Sequence, residues 1–204
     1  MKNWITFLLF SFCTITTISS QSFEAMAGTE RIFIDAQFLK FFDKDFKWSL
    51  FSRARATAEY DQNATNLFSG AYLNYTTKSG FGGSLVGRIG TTGSGMDIGP
   101  HYFKATKDFS VFILPTINLN DELAYSWFSI MRYTPAIKND WKVYSSLELF
   151  SSFVDEGHVF SVQRIRLGID KKGYQFGFAV NLTQLRTLID TNDTNLGAFI
   201  RKAF

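Results

Sequence analysis

Arginine is the residue type with the most chemistry to offer in this chain. Arg53, Arg55, Arg88, Arg132, Arg164, Arg166 and Arg201 each lie in a segment that alternates apolar and polar residues, and each falls on the face that also carries Glu59, Asp97 and Glu148. A guanidinium is a planar fork of donors that matches a carboxylate. Such a set makes either a cross-linked polar interior or a path that attracts anions. Other reactive groups are sparse. His101 shares a face with Asp97, but four residues of strand would separate them by about 13 Å. His158 stands three residues before Ser161, a spacing that puts the two on opposite faces of a strand, and Asp155 and Glu156 beside it read as a solvated turn. The spacing assembles no nucleophile, base and orienting group. It gives no metal-ligand cluster and no cofactor motif, so catalytic residues, metal and cofactor are all expected to be absent. A hydrolase at a barrel rim, built on His158, is the residual enzymatic reading.

The elements that position these arginines are strands. After Lys47 the sequence repeats apolar and polar residues with a period of two, in ten segments: 48–60, 66–77, 80–91, 95–105, 109–119, 122–135, 141–153, 158–170, 174–185 and 194–204. Short turns rich in Asn, Asp, Gly, Ser and Lys separate them, as antiparallel hairpins require. One face of each segment is nearly free of charge, for example Tyr174, Phe176, Phe178, Val180 and Leu182. Gln163 interrupts the apolar face of the eighth segment and points to a β-bulge there.

The direction of the faces follows from charge. The chain has 204 residues, 46% hydrophobic and 17% aromatic but only 19% charged, with a net charge of +3 spread along its length. That is too apolar for a disordered chain and carries no basic block for nucleic acid. The single Cys excludes a disulfide framework. A soluble barrel needs Lys and Glu on its outer face, and this chain has too few. In a membrane barrel the apolar face meets lipid and the lumen is polar. Each arginine facing lipid at mid-depth would cost about 2–4 kcal/mol, and seven would exceed the ~5–15 kcal/mol stability of a domain. The arginines therefore point inward. Trp48, Tyr60, Tyr133, Trp141 and Tyr174 stand at the ends of apolar faces, where aromatic girdles sit. Lys104 and Lys202 fall on the lipid face only at strand ends, where a lysine can snorkel.

The N-terminus reads as an address. Met1-Lys2-Asn3, an apolar run from Trp4 to Phe12 and then small polar residues make a secretory signal over residues 1–20, with cleavage as late as Ala27 an alternative. Cys13 would leave with it. Residues 21–47 form an N-terminal segment in which Ile34, Phe38, Phe41 and Phe42 fit one helical face, which predicts a short amphipathic helix on the rim or in the lumen. The barrel occupies 48–204.

The last segment ends Leu196, Ala198, Ile200 and Phe204 at alternate positions, with Lys202 departing from the pattern. It resembles the C-terminal insertion signal of Gram-negative outer-membrane β-barrels. The stretches 41–48, 125–133 and 162–168 resemble small Bacteroidota outer-membrane barrels of uncharacterised function. The resemblance implies an all-β, closed, up-and-down transmembrane barrel in the outer membrane, exported by a cleaved signal peptide and inserted by the barrel-assembly machinery. It implies no activity.

Outer-membrane lipid is the expected partner, with an unidentified protein partner beside it and no nucleic acid. The expected role is structural or accessory, with an Arg-rich, largely filled lumen. The alternative is a narrow anion-preferring channel or a barrel that binds a small ligand or lipid. A rim hydrolase and a soluble exported ligand-binding barrel stand behind these.

Overall fold

The computed structural model describes residues 19–61, 65–120, 123–186 and 193–204; the expected signal segment falls almost wholly outside the described residues, as does Cys13. Thirteen strands follow one another: β1 (Ser19–Gly28), β2 (Arg31–Phe41), β3 (Trp48–Glu59), β4 (Thr65–Thr76), β5 (Phe81–Gly90), β6 (Gly93–Ala105), β7 (Phe109–Asn118), β8 (Ala124–Tyr133), β9 (Ala136–Lys138), β10 (Trp141–Val154), β11 (Gly157–Lys171), β12 (Tyr174–Leu185) and β13 (Asp193–Ala203). Twelve of them close a barrel. Sequential strands pair antiparallel, and β1 closes onto β13 from Ser22 opposite Ala203 to Gly28 opposite Gly197. The three-residue β9 pairs only with β10, so β8 and β10 are neighbours in the wall. Closure leaves no free strand edge in the wall, as a bilayer demands.

The expected ten strands are two short, and the expected N-terminal helix is absent. Residues 19–41 form β1 and β2 instead, so the barrel begins at Ser19 and not at Trp48. Ile34, Phe38 and Phe42 are spaced by four, which serves one face of a helix and equally one face of a strand. The strand wins because it completes the wall. Ile32 and Ile34 lie outside while Phe33 and Asp35 are buried inside. The even count survives because this segment supplies a hairpin, turning at Thr29 and Glu30, rather than a lone strand.

The β2–β3 turn is tied by Asp43. Its carboxylate accepts the Trp48 N–H at 2.6 Å and the Lys47 N–H at 3.0 Å. These two donors, Trp48 foremost, hold the Asp43 carboxyl below its ordinary pKa. Phe46, at φ 57°, makes the left-handed step of the turn.

The outer wall is apolar. Trp127 is 42% exposed, Phe176 41% and Phe178 79%, whereas Arg53 is 5% exposed inside. That distribution places large apolar side chains outside and arginine inside, the arrangement expected of a barrel facing lipid. The inside is also packed. Tyr72, Val86, Leu114 and Phe128 form one buried apolar cluster against the β4–β8 wall. Met26, Phe33, Tyr144, Ala179 and Phe199 form a second one. A layer of paired charges runs between them. One end of the barrel carries both strand termini and the turns at 42–47, 77–80, 106–108, 134–140 and 172–173; it is called here the terminal end. The turns at 29–30, 91–92 and 155–156, with the C-terminal ends of β3, β7 and β12 and the N-terminal ends of β4, β8 and β13, mark the far end.

Candidate functional site

Strand alternation brings Asp35 of β2, Arg53 and Arg55 of β3, Glu148 of β10 and Arg164 of β11 to one level of the lumen. Arg53 grips Asp35 with two parallel bonds, Nε to Oδ1 and Nη2 to Oδ2, both at 2.7 Å. Its Nη1 lies 2.6 Å from Glu148 Oε2. Arg55 donates to Asp35 Oδ1 at 3.3 Å and to Glu148 Oε1. Arg164 reaches the same Glu148 oxygen at 2.6 Å. Two carboxylates thus serve three guanidinium groups, and Asp35, Arg53 and Glu148 are each nearly fully buried. The network ties β2, β3, β10 and β11 across the barrel rather than along its wall.

A second pair lies beside the first. Arg166 donates to Glu24 at 2.8 Å and to Asn181 at 2.9 Å. The Arg164 and Arg166 guanidinium groups stand 5.3 and 5.7 Å from the Phe33 ring centre, within cation–π range. Between this pair and the first network the free space is about 20 Å³, room for roughly one water.

The other lumen residues lie apart from this layer. Arg88 pairs with Asp97 at 2.8 Å nearer the far end, where Asn118 also donates to Asp97 at 3.1 Å. Arg31 pairs with Asp193 at 2.6 Å. Glu59 stands six residues beyond Arg53 on β3, about 20 Å along the strand, and joins none of these pairs. Arg132 and Arg201 are the exceptions among the described lumen arginines, because neither forms an ion pair. Arg132 donates to Gln37 at 2.7 Å, and Gln37 donates to Asp35 at 2.6 Å. Arg201 donates to Gln175 at 2.7 Å, and Gln175 donates to Asp170 at 2.8 Å. A glutamine stands between cation and carboxylate in each case.

Sequence reasoning missed Glu24 and Asp170, along with the two glutamines, and reached Asp35 only as a charge that would neutralise lumen arginine if the N-terminal segment entered the lumen. The helical reading of residues 21–47 hid Glu24 and placed Asp35 off the wall, although the alternation Ile32, Ile34 against Phe33, Asp35 was there to be read. Their presence removes most of the lumen's expected positive excess and leaves Arg132 and Arg201 as the described lumen arginines without an ion pair.

His101 is 2% exposed on the lumen wall. Thr76 and Ser84 hydroxyls meet its two ring nitrogens at 2.9 and 2.8 Å, so it does not contact Asp97. His158 is not across the wall from Ser161, as strict alternation predicts. A bulge opposite Ser152 and Phe153 turns His158 to the outer face, where its Nε2 sits 2.7 Å from Ser161 Oγ. Ser161 is buried and donates to Ser151, and the buried His158 Nδ1 has no hydrogen-bond partner among the described residues. A serine and a histidine in contact without an orienting acceptor lack the third member of a catalytic set. Among the described residues no group of three His, Cys, Asp or Glu could hold a metal.

Trp48, Tyr133 and Tyr174 are exposed on the outer wall at the terminal end, with Trp141 partly covered there, and Tyr60 is exposed at the far end. Lysines cap the rings at the terminal end, Lys202 lying 3.7 Å over Tyr174 and Lys171 4.5 Å over Trp141. Leu196, Ala198 and Ile200 face outward on β13, and Phe204 is exposed after it.

No protein-family model matches the chain, and no curated protein matches its sequence. Solved structures do match in shape. The chain is similar to the KdgM porin, with a TM-score of 0.52 and 12% identity over 91% of this chain and 99% of that one. It is similar to the NanC porin, with a TM-score of 0.52 and 9% identity over 91% and 98%. The likeness is one of fold, a closed antiparallel β-barrel, with twelve strands in the wall of this chain.

Proposed function

We propose that this chain is an integral outer-membrane barrel, of Gram-negative and Bacteroidota-like source, whose lumen is sealed at mid-height and whose role is structural or accessory rather than that of an open pore. The observation that carries the reading is the Asp35–Arg53–Glu148–Arg55–Arg164 layer, with about 20 Å³ of free space beside it. Hydrated solutes do not pass such a gap. The apolar wall and the likeness to two porins support the location. The C-terminal residues Leu196, Ala198, Ile200 and Phe204 support insertion by the barrel-assembly machinery. A structural role also fits the pairing of six of the eight lumen arginines with carboxylates.

A narrow anion-preferring conduit is the second reading, favoured by the uncancelled charge of Arg132 and Arg201. Planar-bilayer recording of the purified protein separates the two. The sealed barrel gives no steady conductance above the bare bilayer in 1 M KCl. Discrete steps with anion over cation selectivity would overturn the seal and establish the conduit.

A further inference from the structure

A second lumen cavity, about 120 Å³, opens from the terminal end and reaches down to Arg132 and Arg201, which also line the small central gap. Its walls are mostly apolar, with Phe41, Phe51, Phe112 and Ile130 among them, interrupted by uncharged polar residues such as Ser49, Asn74 and Ser110. The two halves of this cavity ask for different things. The walls favour an aliphatic or aromatic body. The floor holds the two lumen arginines that have no carboxylate of their own among the described residues, where the buried Arg132 Nε also finds no hydrogen-bond partner. An unpaired buried donor on a cation costs free energy until an acceptor arrives. Gln37 and Gln175 keep Asp35 and Asp170 one residue away from these cations, so the guanidinium groups stay oriented and uncancelled.

We propose that this vestibule binds a small amphipathic anion, head down, its carboxylate or phosphate on Arg132 and Arg201 and its apolar body against the phenylalanines. At roughly 10–15 Å³ per water on this measure, the space holds about ten waters, which suits a body of roughly eight carbons. Neither a bare inorganic anion nor an uncharged alcohol satisfies both halves. The proposal rests on the sealed-lumen reading only for its blind floor.

The test is calorimetric titration of the protein in zwitterionic-lipid nanodiscs, with empty nanodiscs as reference, using octanoate, octanol, acetate and inorganic phosphate. Octanoate should saturate one site, with octanol, acetate and phosphate each at least tenfold weaker. Arg132→Gln should weaken octanoate at least tenfold. Ser110→Phe, which places a ring directly across the strand from Arg132, should abolish binding with both arginines intact. Arg88→Gln, at the other end, should leave binding unchanged. Arg201 also holds Ser22 and Tyr144, so its removal risks the fold and the test does not depend on it. Equal binding of octanoate and octanol overturns the site, as does octanoate binding untouched by both Arg132→Gln and Ser110→Phe. A barrel that binds octanoate yet conducts overturns the seal and leaves the site standing. A silent barrel without octanoate preference does the reverse.

Discussion

Glu148 takes charge from three arginines while almost wholly out of water. A buried ion pair often contributes little against an apolar replacement of equal shape, but removing one partner leaves the other charges stranded. Glu148→Gln keeps the volume and deletes the charge, leaving Arg53 and Arg55 to share Asp35 and Arg164 with no carboxylate. The expected loss is about 3–5 kcal/mol, seen as a lower urea midpoint for loss of the heat-modifiable folded band in vesicles. The Arg88–Asp97 pair is a built-in control. The Arg88 side chain is 40% exposed, water screens it, and Arg88→Gln should cost less than about 1 kcal/mol. Equal losses for the two variants would show that the central layer is no more than a partly wetted pair.

At the scale of the strand, β1 and β2 decide closure. β1 holds the wall shut between β13 and β2, and with it removed β2 and β13 would each present a row of unpaired backbone groups to lipid, at several kcal/mol per group. A chain lacking residues 19–28 should therefore yield no heat-modifiable folded band, and the mature protein should begin before Ser22. Intact mass of the protein from outer-membrane fractions checks the second point; a start after Ala27 would mean that the barrel closes without β1. The strands from Trp48 onward were legible in the sequence because each, apart from the bulged start of β11, alternates for ten or so residues with Gly, Asn or Asp between them. β1 and β2 were not, for two physical reasons. Ile34, Phe38 and Phe42 satisfy both periods, and the inward face of β1 is polar at Ser22 and Glu24, with no charge but Glu24 to mark it as a lumen face. The central layer was half legible for the same reason, since Arg53, Arg55, Glu148 and Arg164 lie in well-marked strands and Asp35 does not. The bulge expected at Gln163 is not there, since Gln163 pairs in register with Leu149; the irregularity lies opposite Ser152 and Phe153, and its consequence, His158 beside Ser161 on one face, depends on which residue bulges, which alternation alone does not give.

At the scale of the whole molecule, the barrel is apolar on the outside and filled on the inside, so its stability comes from two sources of different kind. The inside is held by ion pairs and two apolar clusters, which any solvent outside would leave in place. The outside is favourable only if hydrocarbon surrounds it, and that can be tested with depth. Phe178, 79% exposed, lies mid-strand on β12 opposite Ala198 of β13 and Leu167 of β11. Tyr174 begins the same strand at the terminal end, on the same face, beneath Lys202. Arginine at the bilayer midplane costs about 2–4 kcal/mol and near the interface about 0–1 kcal/mol. Phe178→Arg should therefore lower unfolding stability in vesicles by the larger amount and Tyr174→Arg by the smaller. In water both sites would accept arginine at almost no cost, because nothing covers either ring from outside. Matching small losses for the two variants would mean that the wall does not sit in a bilayer, and the inward direction of every lumen arginine would then need another cause.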